Sequence, residues 1–247
     1  MRKLCTAGVV LLLISAGIPA KAQLFVVDDP GTSEAKKFYL LSMVMSSGNR
    51  TVGDSQQFLN SQLGYGINDK LEISLLLTAL NSVRAAGTPR VSGIGDSGAW
   101  IKWRFQDETD RIPSIAVVYQ PKFPSASKGL GLGSGSLDHN LWVDAAKTFG
   151  RFYTTISGGV TIPGTFALQR SALYGFGVQY QSTSKLFFQG EVYGYERPGP
   201  GMSQEFAWNI GMSYNFLPDR SLMLAVGKSQ MGYSDLNIFA GLNMVFK

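Results

Sequence analysis

The stretch Asn237-Ile-Phe-Ala-Gly-Leu-Asn-Met-Val-Phe-Lys247, NIFAGLNMVFK, places an apolar residue at every second position from Ile238 to Phe246. Between them stand Asn237, Phe239, Gly241, Asn243 and Val245, so one face is uniformly apolar and the other mixed. Such alternation describes an extended strand with two unlike faces. A soluble sandwich would lay the uniform face on its core, whereas a membrane barrel would turn it to lipid. The rest of the sequence decides between them.

The same alternation recurs upstream. Leu59, Leu63, Tyr65 and Ile67 share a phase, and so do Leu71, Ile73, Leu75, Leu77 and Ala79, with only Asn68-Asp69-Lys70 between the two runs, which predicts a tight hairpin. Further strands are predicted around Ala99–Phe105, Ile115–Tyr119, Phe152–Ile162, Ala172–Tyr180, Leu186–Val192, Phe206–Phe216 and Leu222–Val226. Two weaker segments, Lys37–Ser46 and Leu137–Lys147, bring the total with the last strand to twelve. That number is even, as single-chain bacterial barrels require. The first of these strands is apolar in both phases, Phe38/Leu40 and Tyr39/Leu41, so its facing is left open.

Connection length discriminates further, because outer-membrane barrels have short periplasmic turns and longer extracellular loops. The predicted inner turns are Asn68–Lys70, Asp107–Arg111, Phe149–Arg151, Ser182–Lys185 and Leu217–Arg220. The predicted outer loops are Ser47–Ser55, Ser82–Gly93, Pro124–Ser136, Pro163–Arg170, Arg197–Ser203 and Ser229–Asp235, all longer. A sandwich has no reason to alternate in this way. Aromatic residues agree, with Tyr65, Phe105, Phe152, Tyr180, Phe188, Tyr214, Phe216 and Phe246 near the inner ends of the apolar face, and Tyr119, Phe123, Tyr174, Phe206 and Trp208 near the outer ends. Two such girdles mark the two membrane interfaces. The expected fold is therefore all-β: a transmembrane antiparallel β-barrel of about 12 strands.

At the other end, Arg2 and Lys3, an apolar run from Ala7 to Ala16, and Ala20-Lys-Ala22 read as a signal peptide over residues 1–22, which leaves 23–247 as the barrel domain in the cell outer membrane. No later stretch approaches the roughly 20 apolar residues of a membrane-spanning helix. The single cysteine, Cys5, falls in the predicted signal peptide, so no disulfide framework or thiolate metal site is expected. Without Arg2, Lys3 and Lys21 the basic residues fall from 22 to 19 against 17 acids, a net +2 that gives no reason to expect nucleic acid as a partner.

Little in the sequence suggests catalysis or a cofactor. Gly129-Leu-Gly-Leu-Gly-Ser-Gly-Ser136 is glycine-rich, but it lacks a Gly-Lys-Ser/Thr ending and lies where an outer loop is due, so a flexible or inward-folded loop is expected. His139 is the only histidine, which leaves no multi-histidine metal site, and no serine stands out as a nucleophile beside it. The inward phase is more informative, since it carries Glu72, Lys102, Arg104, Gln120, Lys122, Asp138, Asn140, Asp144, Gln179, Gln189, Glu191 and Asn209. Charges there are tolerable only on a wet or paired interior. Glu72, Lys102, Arg104, Lys122, Asp138, Asp144 and Glu191 are accordingly the candidate lumen and selectivity residues, with Glu72 expected near Arg104 and Lys122 near Asp138. Their mutual pairing in a purely structural role is the competing expectation. Twelve strands fall between the side-chain-filled interior of about eight and the open channel of sixteen to eighteen. Trp100, Trp142, Phe187, Tyr193 and Tyr195, also inward, would narrow the passage further, so a restrictive conduit is expected.

Three segments carry a resemblance: Phe25-Val-Val-Asp-Asp-Pro-Gly-Thr32; Gly93-Ile-Gly-Asp-Ser-Gly-Ala-Trp-Ile-Lys-Trp-Arg-Phe105; and Pro121-Lys-Phe-Pro124 with the glycine-serine loop after it. Together they resemble the outer-membrane barrel family named after the MetA pathway of phenol degradation and related transporter-like proteins. The resemblance implies an outer-membrane barrel passing small, aromatic or hydrophobic organic solutes. It carries over no catalytic residue, and the pathway name does not make phenol the cargo. The last strand, ending in Phe246 and then Lys247, resembles the terminal aromatic signal read by the barrel-assembly machinery. Expected partners are that machinery, outer-membrane lipid and a small-molecule solute. The alternative function is a closed barrel with a structural, loop-mediated binding or lipid-modifying role.

Overall fold

The computed structural model describes residues 24–49, 53–165, 169–196, 204–231 and 235–246. The proposed signal peptide lies outside them. The strands are β1 (Phe38–Asn49), β2 (Asp54–Asn68), β3 (Leu71–Arg84), β4 (Val91–Gly93), β5 (Ser97–Gln106), β6 (Ser114–Phe123) and β7 (Asp138–Phe149). They continue with β8 (Phe152–Ile162), β9 (Ser171–Gln181), β10 (Leu186–Tyr195), β11 (Glu205–Leu217), β12 (Arg220–Met231) and β13 (Leu236–Phe246). Every one of the twelve expected strands is present.

The ring closes where the first strand meets the last: β1 pairs with β2 on one side and with β13 on the other, Phe38 lying opposite both Tyr65 and Phe246. All pairings are antiparallel, and β3 joins β5 directly. The three-residue β4 pairs only with the outer part of β3, so the wall itself is a closed barrel of twelve strands. Among the described residues, closure leaves the twelve-strand wall without a first or last unpaired strand, the condition for a sheet to stand in hydrocarbon.

The exterior is apolar. Leu75 is 53% exposed, Ile156 59%, Ile210 56% and Leu224 53%, in a band running round the wall. A surface of this kind would drive association in water and is satisfied by lipid. Aromatic pairs stand at the short-turn rim, with Phe38 and Tyr65 ring centroids 4.6 Å apart and Phe152 and Tyr180 5.0 Å apart.

Two details depart from expectation. The connection from β1 to β2 spans only residues 50–53, because these two strands stay paired as far as Asn49 and Asp54, and that from β12 to β13 spans only 232–235. The inner turn between β5 and β6, residues 107–113, is conversely longer than expected. The facing of β1 is also decided: Leu41 is buried inside, while Phe38 and Val44 are exposed outside.

Candidate functional site: a plugged lumen

The interior is occupied by the chain's own N-terminal segment. From the start of β1 it passes the turn between β2 and β3 and rises into the barrel. There Leu24, Phe25, Val27, Asp28, Asp29 and Pro30 are all buried. At the short-turn rim the Thr32 hydroxyl donates to the Asp69 carbonyl at 2.6 Å, and the Lys36 N–H to the Gly66 carbonyl at 2.7 Å. Lys36 adopts φ 63°, a left-handed turn that redirects the segment into β1. Gly66 is required by the close approach, because a Cβ there would collide with the Glu34 carbonyl oxygen.

Apolar contacts hold the upper part of this plug. The Phe25 ring lies 5.8 Å from that of Phe239 and packs with Leu41, Met223 and Ala225. Leu24 and Val27 pack with Tyr193 and Ala207. Gly177 makes room for Leu24, since a Cβ at that position would meet its Cδ1. These contacts explain the double-sided apolar character of β1: one face meets lipid and the other meets Phe25.

Polar contacts fix the register. Lys102 Nζ lies 2.7 Å from Asp28 Oδ1 and donates to the Asp29 carbonyl at 2.8 Å. The Trp142 indole N–H donates to Asp28 Oδ2 at 3.3 Å, and the hydroxyls of Thr155 and Ser157 donate to the Asp28 carbonyl. Glu191 accepts the backbone N–H groups of Val26 and Val27 at 3.1 and 3.0 Å, and the Asn209 amide at 2.6 Å. Glu72 accepts the Ser33 N–H and the Tyr39 hydroxyl, both at 2.7 Å. Asp144, fully buried, accepts from Ser157.

A second cluster sits at the long-loop rim. Lys122 Nζ lies 2.5 Å from Asp96 and 2.9 Å from Asp138, and donates to the Ser134 hydroxyl at 2.7 Å. The Asn81 amide donates to the Leu132 carbonyl at 2.8 Å, so the glycine-rich connection between β6 and β7 is folded inwards and clipped to the wall. Burial opposes ionisation of Asp96, but hydrogen bonds from Lys122 and from the Ala126 and Ser134 N–H groups outweigh it and hold the carboxyl below its ordinary value. A carboxylate depressed in the folded state stabilises fully above its unfolded value of 3.8 and loses that contribution as pH falls through the folded value. Protection of the Leu132 amide against hydrogen exchange, relative to the intrinsic rate at each pH, is therefore expected to be high at neutral pH and to fall only below the ordinary aspartate range. Exchange already fast at pH 7 would contradict the clip.

The seven candidates thus divide by position. Glu72, Lys102 and Glu191 bond the plug directly, and Asp144 reaches it through Ser157. Lys122 and Asp138 form the outer clip. Arg104 sits at the inner rim, donating to the Asp69 carbonyl at 2.6 Å and pairing with Asp107. The expected approach of Glu72 to Arg104 is replaced: Glu72 stands opposite Lys102 in the sheet, and the plug intervenes. Asp28, Asp96, Trp142 and Ser157 also belong to these networks. Asp28 could not be placed by strand periodicity because it lies on no strand.

On the long-loop side of the plug lies a cavity of about 310 Å³, lined by Val26, Asp28, Trp100, Trp142, Tyr193 and Tyr195 among others. A second, of about 410 Å³, lies beside Leu132 and Ser134, and Gln120 lines both.

This architecture is similar to the COG4313 outer membrane channel from Pseudomonas putida F1, with a TM-score of 0.71 at 13% identity over 89% of this chain and 100% of that one. The chain has the fold of an outer-membrane channel. It is also similar to the KdgM porin in complex with disordered oligogalacturonate (TM-score 0.57, 8% identity, 85% of this chain and 99% of that chain). A third similar structure is the Ralstonia pickettii toluene transporter TbuX (TM-score 0.51, 10% identity, 89% and 92%). No family model and no curated protein matches the sequence. At these identities the likeness establishes the outer-membrane barrel fold expected from the resemblance in the sequence, and the neighbours are channels, porins and transporters.

Proposed function

We propose that the protein is a passive, narrow, non-catalytic outer-membrane channel for small organic solutes, aromatic or hydrophobic ones among them. The observation that carries this reading is the aromatic-walled cavity of about 310 Å³ held between the plug and the outer mouth. A cavity of about 150 Å³ already accommodates benzene, so the space suits a substituted ring or a compound of similar bulk. A solute arriving from outside would meet the 410 Å³ chamber under the inward loop, pass Gln120, and reach the aromatic chamber before the plug. Similarity in fold to a toluene transporter supports a cargo of this size. Lipid around the apolar belt and assembly machinery acting on the strand that ends at Phe246 belong to the same proposal.

Swelling of liposomes carrying the refolded protein tests it, with small sugars, amino acids and aromatic compounds compared against empty liposomes. Swelling that depends on solute identity is the expected result. The plug favours one rival, a closed barrel that binds without passage, and absence of swelling with every solute from demonstrably folded protein would establish that rival.

A further inference from the structure

We propose that the aromatic chamber above the plug is a binding site for a small organic cation of the quaternary ammonium class. Trp100, Trp142, Tyr193 and Tyr195 supply four rings to its lining, with Trp100 and Trp142 edge to face at 5.3 Å and Tyr193 and Tyr195 at 6.0 Å. Ring faces are negative, and several of them around one space attract a cation that carries no hydrogen-bond donor of its own. One of these rings already engages a cation, since Lys102 Nζ lies 5.9 Å from the Trp100 centroid.

Charge points the same way. Among the described residues, no lysine, arginine or histidine lines the chamber, and its one charged lining residue is Asp28, already paired with Lys102. A ring-walled space without a basic lining residue gives an anion no partner and a neutral hydrocarbon no charge term, whereas a diffuse cation gains from the ring faces. The chamber's volume also exceeds what a quaternary ammonium group needs.

The inference rests on the channel reading only in making the bound cation a cargo; binding itself requires no passage. Choline and its uncharged isostere 3,3-dimethylbutan-1-ol have the same shape around the quaternary centre, so comparing them isolates charge. Titration of each by calorimetry into the folded full-length protein, at matched ionic strength, is expected to show choline binding at least about tenfold more tightly. In a Trp103→Phe/Trp208→Phe background, choline should also perturb the fluorescence of the two remaining tryptophans, Trp100 and Trp142, and Tyr195→Leu should weaken that response about threefold or more. Equal affinity for the two isosteres on the unsubstituted protein would overturn the site, whatever the variants do. Cation-selective binding without liposome swelling would keep the site and remove the channel; swelling without cation preference would do the reverse.

Discussion

Channels carrying Phe25→Asp conduct roughly an order of magnitude more current than the unsubstituted protein at the same voltage and salt, because the plug no longer seats. Phe25 is 6% exposed and packs on Phe239, Met223, Ala225 and Leu41, so removing its ring forfeits about 2–3 kcal/mol of apolar burial. The carboxylate placed in the same space finds no basic partner in that cluster, and its desolvation adds several kcal/mol more. Together these exceed what the Glu191 hydrogen bonds to the Val26 and Val27 amides return, at roughly 1–2 kcal/mol each, so the segment above Asp28 leaves its seat while Asp28 stays paired with Lys102. The barrel wall is untouched, since its ladder does not involve Phe25, and electrophoretic mobility of the folded form should be unchanged. Unchanged conductance from folded protein would mean that the segment does not block the conducting path.

Lys102→Met should destabilise the barrel by about 3–5 kcal/mol, the scale for removing one partner of a buried ion pair. Lys102 and Asp28 are both 9% exposed at the side chain and 2.7 Å apart, and Asp29 and Glu72 are buried nearby without another lysine. Methionine keeps the length of the stem but leaves the Asp28 carboxylate with only neutral donors, the Trp142 indole and the Asp29 N–H. The double substitution Lys102→Met/Asp28→Asn should recover much of the loss, because it removes the stranded charge along with its partner. Urea unfolding followed by tryptophan fluorescence measures all four corners of this cycle. Additive effects of the two single substitutions would show that the pair is uncoupled and that Asp28 is held by other contacts.

What could be read in advance, and what could not, follows from the range of each interaction. The wall was legible because its pattern is local: Ile238, Ala240, Leu242, Met244 and Phe246 must share a face whatever lies beyond them. The inward position of Lys122 and Asp138 was legible for the same reason, and adjacent strands in register bring them to 2.9 Å. The plug left two local traces. One is Phe25-Val-Val, apolar residues ahead of any strand; the other is the inward apolar set Tyr39, Leu41, Met223 and Phe239, which a water-filled lumen does not call for. Neither trace says that the two meet, since Phe25 and Phe239 are at opposite ends of the chain.

The sequence by itself determined the closed apolar exterior, the number of strands in the wall and the chemical character of the inward row, because alternation with period two is a property of each strand alone. Only the tertiary structure decided what those inward charges do. Glu191 accepting the Val26 and Val27 amides, Lys102 neutralising Asp28, and Lys122 clipping Asp96 beside the inward loop all join residues whose separation in the chain carries no periodic signal. Such contacts exist because the ring closes around a segment that belongs to none of its strands, and buried polar groups then pair with whatever the enclosed space supplies.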